Sequence, residues 1–182
     1  MLPDFDAVLA RARAGEGAAF RELHEDLAGP VAAYLRHRGA WEVQDLTSEV
    51  FLAAFTSLSR FTGGQGEFRS WIFTIAHRRL VDEWRRAGRA PQQVAYVPED
   101  DVRTAGSAEA HALDRIGEQR VRRLLGTLSP DQQEVLLLRI LGDLTVEQVA
   151  DAVGKRPGAV KALQRRGLAS LRRAIEAEGV PL

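Results

Sequence analysis

Apolar residues recur at helical spacing along most of this chain. Asp4 to Arg13 places Phe5, Val8, Leu9 and Ala12 on one face, which predicts a short first helix ended near Gly15. Ala18 to Leu27 repeats the pattern with Phe20, Leu23 and Leu27. Gly29-Pro30 then predicts a kink or break before the helical run from Val31 to Arg38. Trp41 to Leu58 is more strongly patterned: Val43, Leu46, Val50, Phe51, Ala54 and Leu58 face inward, with Asp45, Ser48 and Glu49 opposite. From Phe68 to Arg89, the inward stripe is Phe68, Ile72, Ile75, Ala76 and Leu80. The other face carries Arg78, Asp82, Arg85 and Arg89 with Trp71 on its border, and Gly88 closes the helix.

Beyond Arg89 the period is lost. Residues 90–107 hold two prolines and an acidic cluster and read as a linker, too long for an ordinary loop inside one compact domain. The expected fold is therefore all-α: two small helical domains, 1–89 and 108–182, joined by an acidic flexible linker. In the second, Ser129-Pro-Asp-Gln132 combines a serine cap, a first-position proline and a glutamine three residues on. The buried run Val135 to Leu141 stops at Gly142. A second capping box, Thr145 to Gln148, opens a helix ending near Val153-Gly154, and a longer helix runs from Pro157 to about Ala177.

Composition narrows the class. At 45% apolar and 27% charged, the 182 residues suit a soluble globular protein. The lack of cysteine excludes disulfides and thiolate metal sites. His24, His37, His77 and His111 show no ligand spacing, so neither a metal nor a cofactor is expected. The first residues do not form a signal peptide, and no apolar stretch approaches the roughly 18 residues of a membrane span. A cytoplasmic location is the expectation. Formal net charge is zero, but it conceals alternating blocks: −3 over 1–60, +3 over 61–90, −4 over 91–118 and +4 over 119–182. Screening beyond about 10 Å makes the blocks matter more than their sum.

Both basic blocks carry features suited to nucleic acid. Arginines beside aromatics pair with phosphates and stack on unpaired bases. The preceding Phe61-Thr-Gly-Gly-Gln-Gly-Glu67 lets the backbone approach a ligand, but no Lys-Ser/Thr follows, so it is not a nucleotide P-loop; it also reads as a plain turn. In the second block Ala150, Gly154 and Val160 have the spacing of a helix-turn-helix, with Val153, Leu163, Gly167 and Leu171 as further inward positions. Lys161, Gln164 and Arg165 are the candidates for base edges. Arg156, Arg166, Arg172 and Arg173 are the candidates for phosphates. Arg79 falls within the apolar stripe and is expected to be partly buried against a carboxylate such as Glu83. No nucleophile–base, paired-carboxylate or metal constellation points to an enzyme.

Two basic helical blocks, a linker and a C-terminal helix-turn-helix together resemble the bacterial RNA polymerase sigma factors of the extracytoplasmic-function (ECF) group. Asp45 to Phe55 looks like the helix that grips the clamp of the polymerase's largest subunit, implying Asp45, Leu46, Ser48, Glu49 and Leu52 as contacts. Phe61 to Arg86 looks like the promoter-melting and −10-reading segment. The resemblance implies that its glycine loop holds a flipped base, with Phe61, Gly63, Gly64, Gln65, Phe68, Trp71, Arg78, Arg85 and Arg89 at the DNA. Leu128 to Arg139 and the helix-turn-helix look like the −35-reading domain, implying Arg156, Lys161, Gln164, Arg165, Arg166 and Arg172 there. The implied partners are core RNA polymerase (its clamp helices and the flap of its second-largest subunit), double- and single-stranded promoter DNA, and an anti-sigma factor. The acidic linker would thread the RNA-exit path. Family members often carry asparagine at the position of Arg78 and Ser-Arg at Ala162-Leu163, so no −35 sequence is implied. No domain is expected after the helix-turn-helix. The rival readings are a dimeric helix-turn-helix regulator and a helical adaptor that binds polymerase without reading DNA.

Overall fold

A computed structural model describes residues 2–88 and 108–179, with side chains described from residue 117 onward in the second stretch. Among these residues the protein is helical, with eight α-helices, one 3-10 turn and no strand. The helices are α1 (Phe5–Arg13), α2 (Gly17–His37), α3 (Val43–Thr56), α4 (Gln65–Arg86), α5 (Ala108–Gly126), α6 (Pro130–Ile140), α7 (Val146–Val153) and α8 (Pro157–Ala177), with the 3-10 turn at Leu58–Arg60. The expected linker and Arg89 lie outside the described residues. No described helix is long and apolar enough to cross a membrane.

In the N-terminal half, α2, α3 and α4 pack together and α1 packs on α2. The inward stripes read from the sequence supply the core: Leu23, Leu27, Val31, Val50, Ala54, Ile72, Ala76 and Leu80 are all buried. Three expectations change here. Helix α2 runs unbroken through Pro30. A mid-helix proline costs about 3 kcal/mol. Leu23 and Leu27 before it and Val31, Tyr34 and Leu35 after it are all buried on the same side, at roughly 1.5–3 kcal/mol per large side chain. Burial wins, and the helix continues. Helix α4 starts at Gln65, three residues earlier than its apolar stripe suggested. A Glu67 Oε2 that accepts the Gly64 N–H at 3.1 Å fixes that start. The stripe of α4 is also wider than expected, because Phe73 and Trp84 join it.

In the C-terminal half, the long α8 packs against α6, α7 and α5. Both capping boxes form: Ser129 Oγ accepts the Gln132 N–H at 3.3 Å, and Thr145 Oγ1 accepts that of Gln148 at 3.1 Å. Each glutamine side chain accepts the N–H of its cap residue in return. Replacing Ser129 with alanine is expected to cost about 1 kcal/mol. In a chain of this size that lowers the thermal midpoint by about 2–4 °C, to be read by circular dichroism. Gly154 ends α7 at φ +66, the left-handed conformation a helix-turn-helix corner needs. Gly167 lets α8 approach α6 closely, since a Cβ there would lie 2.9 Å from Leu136 Cδ1.

The halves do not stand apart. Helix α7 packs on α4, and one hydrophobic cluster joins Phe73, Ala76 and Leu80 with Leu138, Leu144 and Val149.

Candidate nucleic-acid interface

Three surfaces are set out by the helices. On α4, Trp71, Arg78 and Arg85 stand seven residues apart, two turns at a time, and so share a face. Both arginines are exposed; Arg85 makes a 3.5 Å contact to Asp82 that stays open to solvent on both sides. Trp71 is half-buried. Its ring stacks on Phe61, with centroids 5.1 Å apart and planes 26° apart, and tilts against Phe68 at 5.8 Å. Next to it the loop turns through Gly63 at φ +135, where a Cβ would come within 2.8 Å of Glu67 Cβ. No side chain fits there. Gly64 and Gln65 are half-buried, and the Arg13 guanidinium holds the loop by donating to the Phe61 carbonyl.

This surface corrects two expected contacts. Phe68 is 2% exposed and Phe61 7%. Both point into the core, where they pack against Trp71 and meet each other edge-on, because the loop folds back over the start of α4. They support the aromatic surface rather than forming it.

The second surface is on α8. Arg156, Lys161, Arg165, Arg166, Arg172 and Arg173 are all exposed and Gln164 is half-buried. Val160, Leu163 and Gly167 face inward as expected, and Leu171 is half-buried. Ala150, buried in α7, sits at the crossing. A cationic face on a helix presented by a helix-turn-helix corner suits a major groove.

The third surface is the outer side of α3. Asp45, Ser48 and Glu49 are exposed, and Leu52 is 70% exposed between them. Leu46, expected among them, is 4% exposed and belongs to the core. An apolar side chain that open beside two carboxylates suits a docking helix. Arg79 is partly buried and paired with a carboxylate, as expected, but the partner is Glu49 Oε2 of α3 at 3.7 Å rather than Glu83 of its own helix. Glu83 instead accepts the Trp41 N–H at 3.3 Å.

Sequence reading did not single out Arg38, Arg69 or Glu134. Arg38 and Glu134 are buried charges 96 residues apart, and nothing local in either segment marks the pairing. Burial, with Glu134 adding to it, pushes the Tyr34 phenol far above its ordinary value, so it stays a neutral group 3.2 Å from His77 Nδ1. Among the described residues, no group of three or more His, Asp or Glu side chains could hold a metal ion.

Comparison with known proteins matches two regions of the chain to family models. Residues 20–90 match the family model for sigma-70 region 2, and residues 118–171 match that for sigma-70 region 4. The chain is 33% identical over 180 residues to the ECF RNA polymerase sigma factor SigD of Mycobacterium tuberculosis, covering 96% of this chain and 85% of the relative. It is 31% identical over 170 residues to the ECF sigma factor BldN of Streptomyces coelicolor, covering 92% of this chain and 64% of the relative. Among solved structures, CnrH in complex with the cytosolic domain of CnrY superposes with a TM-score of 0.65 at 25% identity, covering 94% of this chain and 96% of that one. The sigma factor RpoE of Bartonella quintana, in complex with the anti-sigma factor NepR, shares the fold with a TM-score of 0.63 at 18% identity, over 86% and 96%.

Proposed function

The chain belongs to the ECF group of the sigma-70 family of RNA polymerase sigma factors, and from that premise we propose how its surfaces divide the work of initiating transcription. The outer face of α3, with Asp45, Ser48, Glu49 and Leu52, docks on the clamp of core polymerase. The exposed cations of α8 bind the −35 element: Lys161, Gln164 and Arg165 read base edges, while Arg156, Arg166 and Arg172 take phosphates. Trp71, Arg78 and Arg85 on α4, with the loop at Gly63, Gly64 and Gln65, take the −10 element. A site that accepts an unstacked base stabilises melted over paired DNA, and the chain needs no bond-making chemistry to do so. The domain bounds 1–89 and 108–182 belong to this reading.

The observation that carries it is the pair of separate cationic faces on α4 and α8, the first built on stacked aromatics. CnrH was solved with the cytosolic domain of CnrY. Control of this chain by a separate anti-sigma protein is part of the same proposal. A free-standing dimeric regulator is not favoured, because both halves match sigma regions.

The test is reconstitution with core polymerase. Promoter-directed transcription that starts only when the chain is added supports the reading; specific promoter binding by a dimer without polymerase sinks it. Within that assay, the double substitution Lys161→Ala with Arg165→Ala is expected to weaken −35 binding tenfold or more, each base-edge contact contributing about 1–3 kcal/mol of discrimination. The thermal midpoint should barely move, since both side chains are exposed.

A further inference from the structure

The cationic stripe of α4 does not end in neutral surface at its loop. Trp71, Arg78 and Arg85 span about 21 Å of helix, and Trp71 stacks on Phe61 with ring centroids 5.1 Å apart. Two further cations stand at Phe61. Arg60 precedes it, at the end of the 3-10 turn, and is exposed. Among the described residues the Arg60 guanidinium meets no carboxylate and no hydrogen-bond acceptor. Arg13, the last residue of α1, is also exposed and reaches the loop by donating through Nη2 to the Phe61 carbonyl.

Their setting separates these two from an ordinary solvated charge. Residues 1–60 are net acidic, and Arg11, two residues before Arg13, is paired with Glu16 at 2.9 Å and Glu22 at 2.7 Å. Arg13 and Arg60 have no such partner among the described residues. The loop's own carboxylate, Glu67, is held 3.1 Å from the Gly64 N–H at the start of α4. Both guanidiniums therefore keep most of their N–H donors for a ligand. Arg13 is in addition pre-organised. The bond to the Phe61 carbonyl fixes its side chain without neutralising its charge, so less rotamer freedom is lost when an anion arrives.

A path follows from the order of contacts. Arg85 and Arg78 lead to Trp71, Trp71 to Phe61 and the glycine loop, and Phe61 to Arg60 and Arg13. A base held in the loop leaves sugar-phosphate chain on both sides of it. Arg78 and Arg85 serve one side, and Arg60 and Arg13 stand ready for the other. Guanidinium–phosphate pairs are short, charge-assisted and often two-pronged. They hold a strand without reading its sequence.

We infer that Arg60 and Arg13 form a cationic ledge for the backbone phosphates of the unpaired promoter strand, on the start-site side of the base held in the loop. The strand then runs from duplex at Arg85 and Arg78, past Trp71 and the loop, to the ledge. This rests on the reading that Trp71 and the loop at Gly63, Gly64 and Gln65 take the melted −10 element. The test uses the chain assembled with core polymerase and two forked promoter probes. In the short probe the unpaired strand ends with the −10 element; in the long probe it continues a few nucleotides toward the start site. Arg60→Ala should weaken binding of the long probe about fivefold, lower its log–log salt slope by about 0.7 and leave the short probe unchanged. A neutral methylphosphonate, moved one position at a time through the extension, should reproduce that loss at one or two phosphates in the parent and add nothing there to Arg60→Ala. Arg13→Ala should weaken both probes, the long one more, because the loop also loses its tie. The Arg60 guanidinium has no partner among the described residues, so the thermal midpoint of Arg60→Ala should not move. Arg60→Ala that binds the long probe as tightly as the parent, or that weakens both probes alike, overturns the ledge while leaving the −10 reading intact. Short-probe binding that Trp71→Ala does not change strikes the −10 reading itself, and the ledge with it.

Discussion

Truncating Phe73 to alanine should lower the thermal midpoint by about 10 °C or more, the largest stability loss expected from any one side chain discussed. Phe73 is fully buried and lies in the cluster that joins the two halves. Its ring meets Tyr34 edge-on at 5.8 Å, and the Arg69 guanidinium lies 6.0 Å from its centroid. The change removes the burial energy and leaves a cavity that the helices can only partly close, together about 3–5 kcal/mol. A domain's whole stability is about 5–15 kcal/mol, so this is a large share. At about 2–4 °C per kcal/mol the shift is readily measured by calorimetry. Phe73→Leu retains most of the volume and should lose well under half as much. A Phe73→Ala midpoint within 2 °C of the parent would show that this ring does not hold the helices together.

The second large effect is on promoter opening. Removing Trp71 takes away an aromatic platform that contributes about 1–3 kcal/mol per stacked base, so Trp71→Ala should reduce open complex roughly tenfold to a hundredfold. Permanganate reactivity of unpaired thymines in the reconstituted complex measures this directly. Trp71 also packs on Phe61 and Phe68, and Trp71→Phe, which keeps a ring there, should recover much of the loss. Arg78→Ala with Arg85→Ala should act differently. If each binds one phosphate, the log–log slope of binding against salt falls by about 0.7–0.9 per arginine. Arg79→Ala serves as the contrast, because its guanidinium is already directed at Glu49 and should leave that slope unchanged. Equal slopes for all three arginines would remove Arg78 and Arg85 from the DNA surface.

Much of this was legible along the chain because it depends on local order. Helix stripes follow from spacing alone, and the caps at Ser129 and Thr145 need only residues three apart. The helix-turn-helix corner was readable from Ala150, Gly154 and Val160 for the same reason: small, left-handed and apolar positions must recur at fixed distances. Misreadings arose where the resemblance was carried over against the period. Phe68 and Leu46 stand in their inward stripes and are buried, though the resemblance implied contacts there; Phe61 lies before α4 and is covered only because the loop folds back. Arg79 shows the same limit, since its carboxylate partner comes from α3 and not from its own helix. At Pro30 the local rule was outweighed by burial on either side of it.

The sequence by itself determined the helical class, most of the core, the two cationic faces and the resemblance that identifies the family, all carried by periodicity and by motifs a few residues long. Only the tertiary structure decided that the two halves meet. The arginine just after α2 and the glutamate on α6 that hold them are 96 residues apart, and each alone reads as an ordinary surface charge. A contact of that kind has no period and no motif. It exists only once folding brings α4, α6 and α7 together and removes water from the charges between them.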